Sequence, residues 1–322
     1  MRAGRGSASV VVTINSYLVV TNLGVMVTEW VLIGVPTSAG AHHAGQELAP
    51  AALRAAGLAE RLGRAGLSLA DGGDLPGAAF APDQRATGGR NLSAVVRVAA
   101  EVADAVAEVA SAEQLPLVLG GDCTITVGAV AGLRRRHPDA GLIYLDGDSD
   151  LGVPGDGGSG ILDSMGISHL LGRGAHELAG LGGQIPLLEP RRLAIVGSDP
   201  RETSDEGRKY LAGKGVSFQE APAFIADPVG AAERALAAVT AASRHFLVHL
   251  DIDVVDSADL PLGNFPHYGS GVLLEHVVAA LRILRAHPSF AGLVLTEVNP
   301  THDANGDQLA RLVDALVSAL AD

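Results

Sequence analysis

The sequence predicts an α/β fold with a mostly parallel central sheet. Three observations predict it: short apolar runs recur along the chain, each run ends in polar residues, and Ala-rich segments of helical periodicity lie between the runs. Continuous apolar runs of this length are typical of strands buried on both faces of a parallel sheet. Strands that alternate with helices form βαβ units with right-handed crossovers. We therefore expect repeated βαβ units around one such sheet.

The apolar runs predict six strands, at residues 30–35, 115–119, 142–145, 193–196, 246–250 and 293–295. Helical periodicity is present at residues 92–109, 229–242 and 274–286. Stretches rich in Gly, Asp and Pro at 71–90, 152–160 and 256–271 are candidate active-site loops. No internal repeat or long linker divides the chain, and 48% hydrophobic residues are enough for a substantial core. Residues 26–322 are therefore predicted to form a single domain.

Composition and the N-terminal segment limit the possible partners and location. The formal net charge of −13 argues against a nucleic-acid partner, which needs a basic face. A single cysteine, Cys123, allows no intrachain disulfide. Residues 10–27 are fairly apolar, but Thr13 and Asn15 interrupt them and no clear cleavage site follows, which disfavours an export signal or a membrane span. We expect a cytoplasmic protein whose residues 1–25 are a disordered extension, or the product of a start codon assigned too early.

Acidic motifs follow four of the predicted strands. They are GGDC at 120–123, DGDSD at 146–150, DID at 251–253 followed by Asp256, and EVNP at 297–300. Ligands bind at the carboxyl ends of strands in open α/β sheets, so at least five carboxylates would converge there. Bare carboxylates at that density repel one another, and a cation, or more than one, resolves the repulsion.

The spacing of the acidic residues also favours a metal site. A period of two puts the Asp side chains on one side of an extended segment. Oxygen-rich ligation suits Mn²⁺, Mg²⁺ or Ca²⁺. One such motif alone often only caps a strand or turn, but three motifs that each end a buried strand are stronger evidence.

Taken together, these motifs resemble the signatures of a known family. GVP at 34–36, followed by Gly45, Pro50 and Leu53-Arg54, looks like the opening strand and helix of the arginase/agmatinase/formiminoglutamase (ureohydrolase) family. GGDC, DGDSD, DIDVVD and TEVNP resemble that family's GGDH, DAHxD, DxDxxD and ExNP motifs, in the same order and over roughly residue 30 to the C-terminus. The resemblance implies a three-layer α/β/α sandwich, a pair of Mn²⁺ ions and hydrolysis of a guanidino or amidino C–N bond. It also implies a homo-oligomer, a trimer or hexamer.

The resemblance further implies roles for individual residues. Six residues would ligate the metals: Cys123, Asp146, Asp148, Asp150, Asp251 and Asp253. Asp146 and Asp251 would bridge the two ions, and Asp251 would also steer the attacking water. Glu297 would pair with the cationic group of the substrate, whereas its alternative role is that of a turn partner near Asn299.

Cys123 and Asp148 stand where the family usually has histidines. Asp148 can reach a similar point, and the shorter Cys123 is compensated by longer metal–sulfur bonds. Five Asp ligands carry five negative charges, or six with a Cys123 thiolate, so the pKa of water at the site is expected to rise. A thiolate also favours Fe, Co or Zn over Mn, whereas the alternative for Cys123 is a small buried side chain beside the site.

The segment 152–165 resembles the arginase stretch that binds the amino-acid end of arginine. Ser159 is kept, but Gly152 and Ile161 stand where arginase has Asn, and Asp163 replaces a histidine thought to shuttle protons. Plain arginine is therefore not the expected substrate. Asp163 would relay protons or pair with a cation if its pKa were shifted. His267 is a possible replacement in substrate binding, although a lone loop histidine is commonly just exposed.

Three functional hypotheses follow from these residues. The first is a hydrolase with a pair of metal ions, acting on a small cationic guanidino or amidino compound such as a modified arginine. The second is a catalytically weak or inactive homologue that binds a metal or small cation. The third is a hydrolase of another linear amide or amidine.

Overall fold

The computed structural model describes residues 29–83, 89–155 and 159–321. The expectation of a disordered segment at 1–25 lies outside the described residues, as do parts of two candidate loops, 84–88 and 156–158. Within the described part of the chain, every helix is too short or too polar to cross a bilayer.

Eight parallel strands form one sheet in the order β2-β1-β3-β8-β7-β4-β5-β6. Their bounds are β1 (Trp30–Gly34), β2 (Leu69–Asp74), β3 (Leu115–Leu119), β4 (Gly141–Leu145), β5 (Leu193–Ser198), β6 (Ser217–Glu220), β7 (Phe246–Asp251) and β8 (Phe290–Thr296). The α/β prediction is confirmed, and the sheet is entirely rather than mostly parallel. The single domain over 26–322 stays a prediction, and its first boundary lies outside the described residues.

Helices cover both faces of the sheet. They are α1 (Ala49–Ala55), α2 (Leu58–Arg64), α3 (Leu92–Ser111), α4 (Ile125–Arg136), α5 (Gly166–Leu170), α6 (His176–Ala179), α7 (Asp205–Lys214), α8 (Ala221–Ala226), α9 (Pro228–Thr240), α10 (Leu274–Arg285) and α11 (Asp307–Leu320). Alternate strand residues enter two separate cores: Leu119 packs in the core with α1, α2 and α9–α11, and Val118 in the core with α3 and α4. The architecture is therefore a three-layer α/β/α sandwich.

The six predicted strands and three predicted helices are present, within a few residues at each end. Two strands were missed, β2 and β6. Both lie at sheet edges, and their residues are half-buried or exposed, so they lack the apolar run that marks a central strand. The stretch 71–90, expected to be a loop, therefore begins inside β2, and its residues 71–74 need correction from loop to strand.

Close packing of α4 on α3 fixes the position of the segment that carries Cys123. A Cβ added at Gly128 would come within 2.3 Å of the Ala99 carbonyl oxygen, and one at Gly132 within 2.4 Å of that of Ala103. Only glycine allows the two helices to approach this closely. Because α4 begins two residues after Cys123, this contact holds the end of β3 in place at the site described next.

Candidate metal centre and active site

The four acidic motifs converge on one cleft at the carboxyl ends of the adjacent strands β3, β8, β7 and β4. The cleft has an empty volume of about 340 Å³. Its lining residues are His42, Cys123, Asp146, Asp148, Asp150, Asp163, Ser164, Asp251, Asp253, Phe265 and Glu297. All six residues predicted as metal ligands are among them, together with two of the residues predicted to act on the substrate, Asp163 and Glu297.

Local hydrogen bonds orient the three carboxylates of the DGDSD motif. The Asp148 backbone N–H donates to Asp146 Oδ1 at 2.5 Å, which folds the segment back toward the end of β4. The Tyr144 hydroxyl donates to Asp150 Oδ2 at 2.6 Å. Asp150 itself has φ of +48°, a backbone conformation that a non-glycine residue seldom adopts. Such strain persists where the surroundings impose it, and it is frequent at functional sites.

Cys123 and the DID motif form the opposite side of the cleft. The Cys123 thiol donates to Asp251 Oδ2 at 2.6 Å, and the Asp253 backbone N–H donates to Asp251 Oδ1 at 2.8 Å. Asp253 Oδ1 accepts a hydrogen bond from the Gly147 N–H at 3.1 Å, which connects the motif after β7 to the motif after β4. Asp256, the last acid of the DIDVVD motif, accepts instead from backbone groups of Ala258 and Ser270 and so organises the following loop.

Burial and mutual repulsion make these carboxylates hard to ionise. Burial, followed by the negative charge of Asp253, raises the pKa of both Asp146 and Asp251 well above the usual range. Burial also raises the pKa of Asp148 to about 6. It raises the pKa of the Cys123 thiol as well, with Asp251 the next cause.

Little positive charge from the protein offsets this acidity. Over the described ranges, the only basic side chains within 4.0 Å of these carboxylates are two buried histidines, His249 beside Asp146 at 3.8 Å and His267 beside Asp253 at 4.0 Å. Burial lowers the pKa of His249 to about 3, so this ring is neutral at physiological pH. Without a further cation, the deprotonated site would contain more buried negative charges than these two histidines can offset.

The donor set fits divalent metal ions. Cys123, Asp146, His249 and Asp251 each offer a ligand atom, and these four atoms lie within 4.8 Å of one another. Asp148, Asp150 and Asp253 add carboxylate oxygens around the same cleft. Oxygen donors suit Mn²⁺ or Mg²⁺, and the thiol and imidazole suit softer ions. Bound cations would supply the charge that the protein itself lacks.

Glu297 and Asp163 lie together beside the metal-ligating groups. Glu297 Oε2 accepts from the Gln46 side-chain amide at 2.9 Å, while its buried Oε1 has no hydrogen-bond partner among the described residues. Asp163 Oδ1 accepts from the Cys123 backbone N–H at 2.7 Å. Burial, with the charge of Asp122 next in importance, raises the pKa of Asp163 to about 8. The shift that a proton relay through Asp163 requires is therefore present in the fold.

The other two residues predicted to bind the substrate are placed differently. Ser159 is exposed, lies outside the cleft lining, and accepts from the Ile161 N–H at 3.2 Å. His267 is buried behind Asp253: its Nδ1 lies 3.3 Å from Asp199 Oδ2, and within the described part of the chain its buried Nε2 has no hydrogen-bond partner. His267 therefore packs between Asp199 and Asp253 and is not one of the residues that line the cleft.

Sequence reasoning missed four groups that border the site: His249, Gln46, His42 and Phe265. A signal existed for His249, because it precedes Asp251 by two residues on β7 and strand side chains alternate between faces. Gln46 lies in a short 3-10 turn that the sequence pattern did not distinguish from loop. His42 and Phe265 form an edge-to-face pair, with ring centroids 4.8 Å apart, between two loops distant in sequence.

Comparison with known proteins confirms the family resemblance. The model of the Arginase family matches residues 28–321. The arginase of Bacillus caldovelox is 30% identical over 295 residues, which cover 90% of this chain and 96% of that protein. The native structure of that arginase at pH 5.6 has a TM-score of 0.82 at 27% identity, covering 92% of this chain and 99% of that one. Formimidoylglutamase from Bacillus subtilis has a TM-score of 0.73 at 20% identity, covering 92% and 87%, which shows a shared fold alone.

Proposed function

The chain belongs to the arginase family, and we propose that it hydrolyses a guanidino or amidino C–N bond in a small cationic substrate other than plain arginine. The observation that carries this proposal is the cleft itself, where buried carboxylates with raised pKa values face one another without a Lys or Arg partner among the described residues. Such a site is suited to metal cations and a cationic substrate group, and not to a neutral apolar ligand.

The proposed cofactors are two divalent ions: Mn²⁺, or beside Cys123 a softer ion such as Fe, Co or Zn. The residues that would hold them are Asp146, Asp251, Cys123, Asp148, Asp150 and Asp253, all of which line the cleft. When bound, ions of this kind lower the pKa of water and polarise the carbon that is attacked. The fold holds the ligands in place through backbone N–H groups that donate to Asp146, Asp251 and Asp253.

Glu297 would bind and orient the cationic group of the substrate. Its Oε1 lies at the cleft wall beside Asp163 and would accept from the substrate, while the Gln46 amide fixes the other oxygen. An N–H group of a guanidinium or amidinium can donate to that oxygen in a charge-assisted hydrogen bond. This contact would also place the substrate carbon beside Asp251, which would steer the attacking water.

Asp163 would hold and deliver a proton at the cleft wall. In the metal-free fold burial raises the pKa of the Asp163 carboxyl to about 8, and a carboxyl that keeps its proton beside the bound substrate would donate it to a leaving amine. Its Oδ1 is fixed by the Cys123 N–H, so its other oxygen is the one available for proton transfer. Because Glu297 and Asp163 line the same part of the cleft, the cationic group of the substrate would bind beside both of them.

Two features support a substrate other than plain arginine. Gly152 and Ile161 offer no polar side chain where arginase has Asn, and Ser159 is exposed outside the cleft lining. His42 and Phe265, by contrast, place aromatic surface on the cleft lining. A guanidino or amidino compound with a modified or less polar tail fits these side chains better than an amino-acid zwitterion.

A second candidate function is metal or cation binding with little turnover. The observation that favours it is the hydrogen bond from the Cys123 thiol to Asp251, because the thiol proton then points at an oxygen that would ligate metal. Metal loading would have to displace that proton.

A substrate screen tests the proposal. Metal-loaded protein is incubated with arginine, modified arginines, other guanidino compounds and amidino compounds, from neutral to high pH, and release of urea or amine is measured. We expect turnover of at least one of the others, faster than of arginine, and strongly reduced in the matched Glu297→Gln variant. Faster turnover of arginine than of any other compound would contradict the substrate proposal. Loaded protein that releases neither product would contradict the hydrolase proposal and favour the second candidate.

We further propose that the chain assembles as a homo-oligomer, a trimer or hexamer, as the family membership implies. Light scattering coupled to size-exclusion chromatography measures the mass directly. A mass equal to one chain at all concentrations would contradict this part of the proposal.

A further inference from the structure

Strand β7 carries a histidine, His249, that the family motifs do not include. His249 precedes Asp251 by two residues, so both side chains project from the same face of the strand toward the cleft. The side chain is fully buried, and its Nε2 lies 3.8 Å from Cys123 Sγ and 3.8 Å from Asp146 Oδ2. An imidazole nitrogen is thus present between two of the residues that would ligate metal.

The surroundings of His249 fix the ring in one orientation. Its Nδ1 lies 2.7 Å from the Thr126 hydroxyl, and the ring stacks on Tyr144 at 3.8 Å with an angle of 4° between the planes. When the Nδ1–H donates to Thr126, the lone pair of Nε2 faces Cys123 and Asp146. Histidines that ligate metals almost always donate the other ring N–H in this way, which fixes the tautomer.

The spacing of the four donors suits a single small ion. A tetrahedral site with metal–ligand bonds of about 2.0–2.3 Å places its donor atoms roughly 3.3–3.8 Å apart. The separations of 3.8 Å from Nε2 to Sγ and from Nε2 to Asp146 Oδ2 meet that requirement. The Cys123 Sγ and Asp251 Oδ2 atoms, 2.6 Å apart, share a proton that an ion would replace.

We propose that Cys123, His249, Asp146 and Asp251 hold one zinc-class ion, and that a manganese-class ion binds beside it at the carboxylates of Asp148, Asp150 and Asp253. His249 would thereby supply, from β7, the imidazole that the family motif places at position 123. The inference rests on the proposed metal-dependent function and adds that the centre is mixed. Binding of the softer ion forms the metal–sulfur bond and releases the thiol proton to solvent. A site that includes a thiolate and an imidazole favours a softer ion, whereas a site of carboxylates alone favours manganese.

Metal titration of the stripped protein tests the proposal without any substrate. Zinc and manganese are added together, and the bound amount of each is measured by elemental mass spectrometry. We expect about one zinc and one manganese per chain in the wild type. In His249→Ala and Cys123→Ser, zinc affinity should fall by more than about 100-fold while manganese remains bound. Removing only a hydrogen-bond partner of a ligand typically costs about 10- to 100-fold, so removing the ligand itself should cost more.

Two further variants separate ligation from folding. Thr126→Val keeps the ring but removes its hydrogen-bond acceptor, and we expect zinc affinity to fall by about 10- to 100-fold. His169→Asn is the matched control, because His169 is a fully buried histidine whose Nδ1 bonds the Met165 carbonyl away from the cleft. Its zinc affinity should equal that of the wild type.

Cobalt substitution gives an independent readout. Co²⁺ bound by Cys123 should show a thiolate charge-transfer band, which should vanish in Cys123→Ser and shift in His249→Ala. Unchanged zinc affinity and an unchanged cobalt spectrum in both His249→Ala and Thr126→Val would overturn the inference while leaving a two-metal hydrolase in place. Binding of neither ion by the folded wild type would overturn both the inference and the proposed function.

Discussion

Two acidic clusters in this protein are stabilised in opposite ways. At the sheet edge, Asp71 and Asp74 of β2 both pair with Arg54, whose Nε donates to Asp71 at 2.8 Å. The hydrogen bond from Arg54 lowers the pKa of Asp71. At the cleft, burial raises the pKa of Asp146 and Asp251 well above the usual range, and across the described ranges no Arg or Lys pairs with either.

The difference lies in where the compensating cation comes from. The edge cluster carries its own guanidinium, and the ion pairs of Arg54 with Asp71 and Asp74 stabilise the folded chain modestly. In the cleft cluster several carboxylates lie close together without an arginine or lysine, which destabilises the metal-free fold. Such a cost is expected where function requires an external cation, and it makes metal binding and stability directly linked.

The largest expected effect comes from removing a central ligand. Asp251→Asn should reduce turnover and metal affinity by more than about 100-fold, because removal of even an outer partner of a metal ligand costs 10–100-fold. At a pH high enough to ionise Asp251, the same change should stabilise the metal-free protein, since it removes one buried negative charge. Asp71→Asn is the isosteric control and should lower stability instead. Lower stability of metal-free Asp251→Asn would contradict the comparison.

Glu297→Gln comes next in size. Loss of a charge-assisted hydrogen bond to the substrate is expected to cost about 1.5–3 kcal/mol, or roughly 10- to 100-fold in kcat/KM. Metal content should stay the same, because Glu297 is not among the proposed ligands. The measurement combines steady-state kinetics with metal analysis. A variant that loses its metals would reassign Glu297 from substrate to metal.

The free energy of unfolding of the metal-free protein should decrease as pH rises from about 4 to 8. Asp148 and Asp163 have folded-state pKa values of about 6 and about 8, above the value of 3.8 for an unperturbed Asp. Between those values the folded chain holds more protons than the unfolded chain, so stability is greatest below about pH 4 for these groups and falls as pH rises toward 8.

The expected loss of unfolding free energy is on the order of several kcal/mol, because the two pKa shifts add at about 1.4 kcal/mol per unit. Urea unfolding of metal-free protein at several pH values measures it. Adding Mn²⁺ should restore stability most at the higher pH, because metal ligation needs deprotonated carboxylates. A metal-free protein that gains stability over the same pH range would show that the cleft carboxylates are ionised without help.

The smallest effect is expected at the edge. Arg54→Ala should cost about 1 kcal/mol, because both carboxylate partners are more than a third exposed and solvent screens the ion pairs. Turnover and metal content should not change. Chemical denaturation with parallel assays checks both expectations, and a loss of metal in this variant would mean that the two clusters are coupled.

Much of the sheet and of the acidic cleft is predictable from sequence, because each buried strand and its acidic motif lie next to each other in the chain. A buried strand followed by DGDSD or DID predicts both the sheet and its acidic edge, and the structure places the carboxylates of both motifs in one cleft. The edge strands β2 and β6 lack a two-sided apolar pattern and were missed. The contacts of His249 with Cys123 and of His42 with Phe265 depend on the packing of segments distant in sequence. The burial of His267 behind Asp253 is of the same kind.

The most direct test of the central claim is the metal content of the folded protein. Protein stripped of metal and then equilibrated with excess Mn²⁺ and Zn²⁺ is dialysed and measured by elemental mass spectrometry, with circular dichroism to verify the fold. The carboxylate cleft predicts about two divalent ions per chain in total, and clearly fewer in Asp251→Asn. A folded wild-type protein that retains no metal would contradict the claim that this cleft is compensated by external cations.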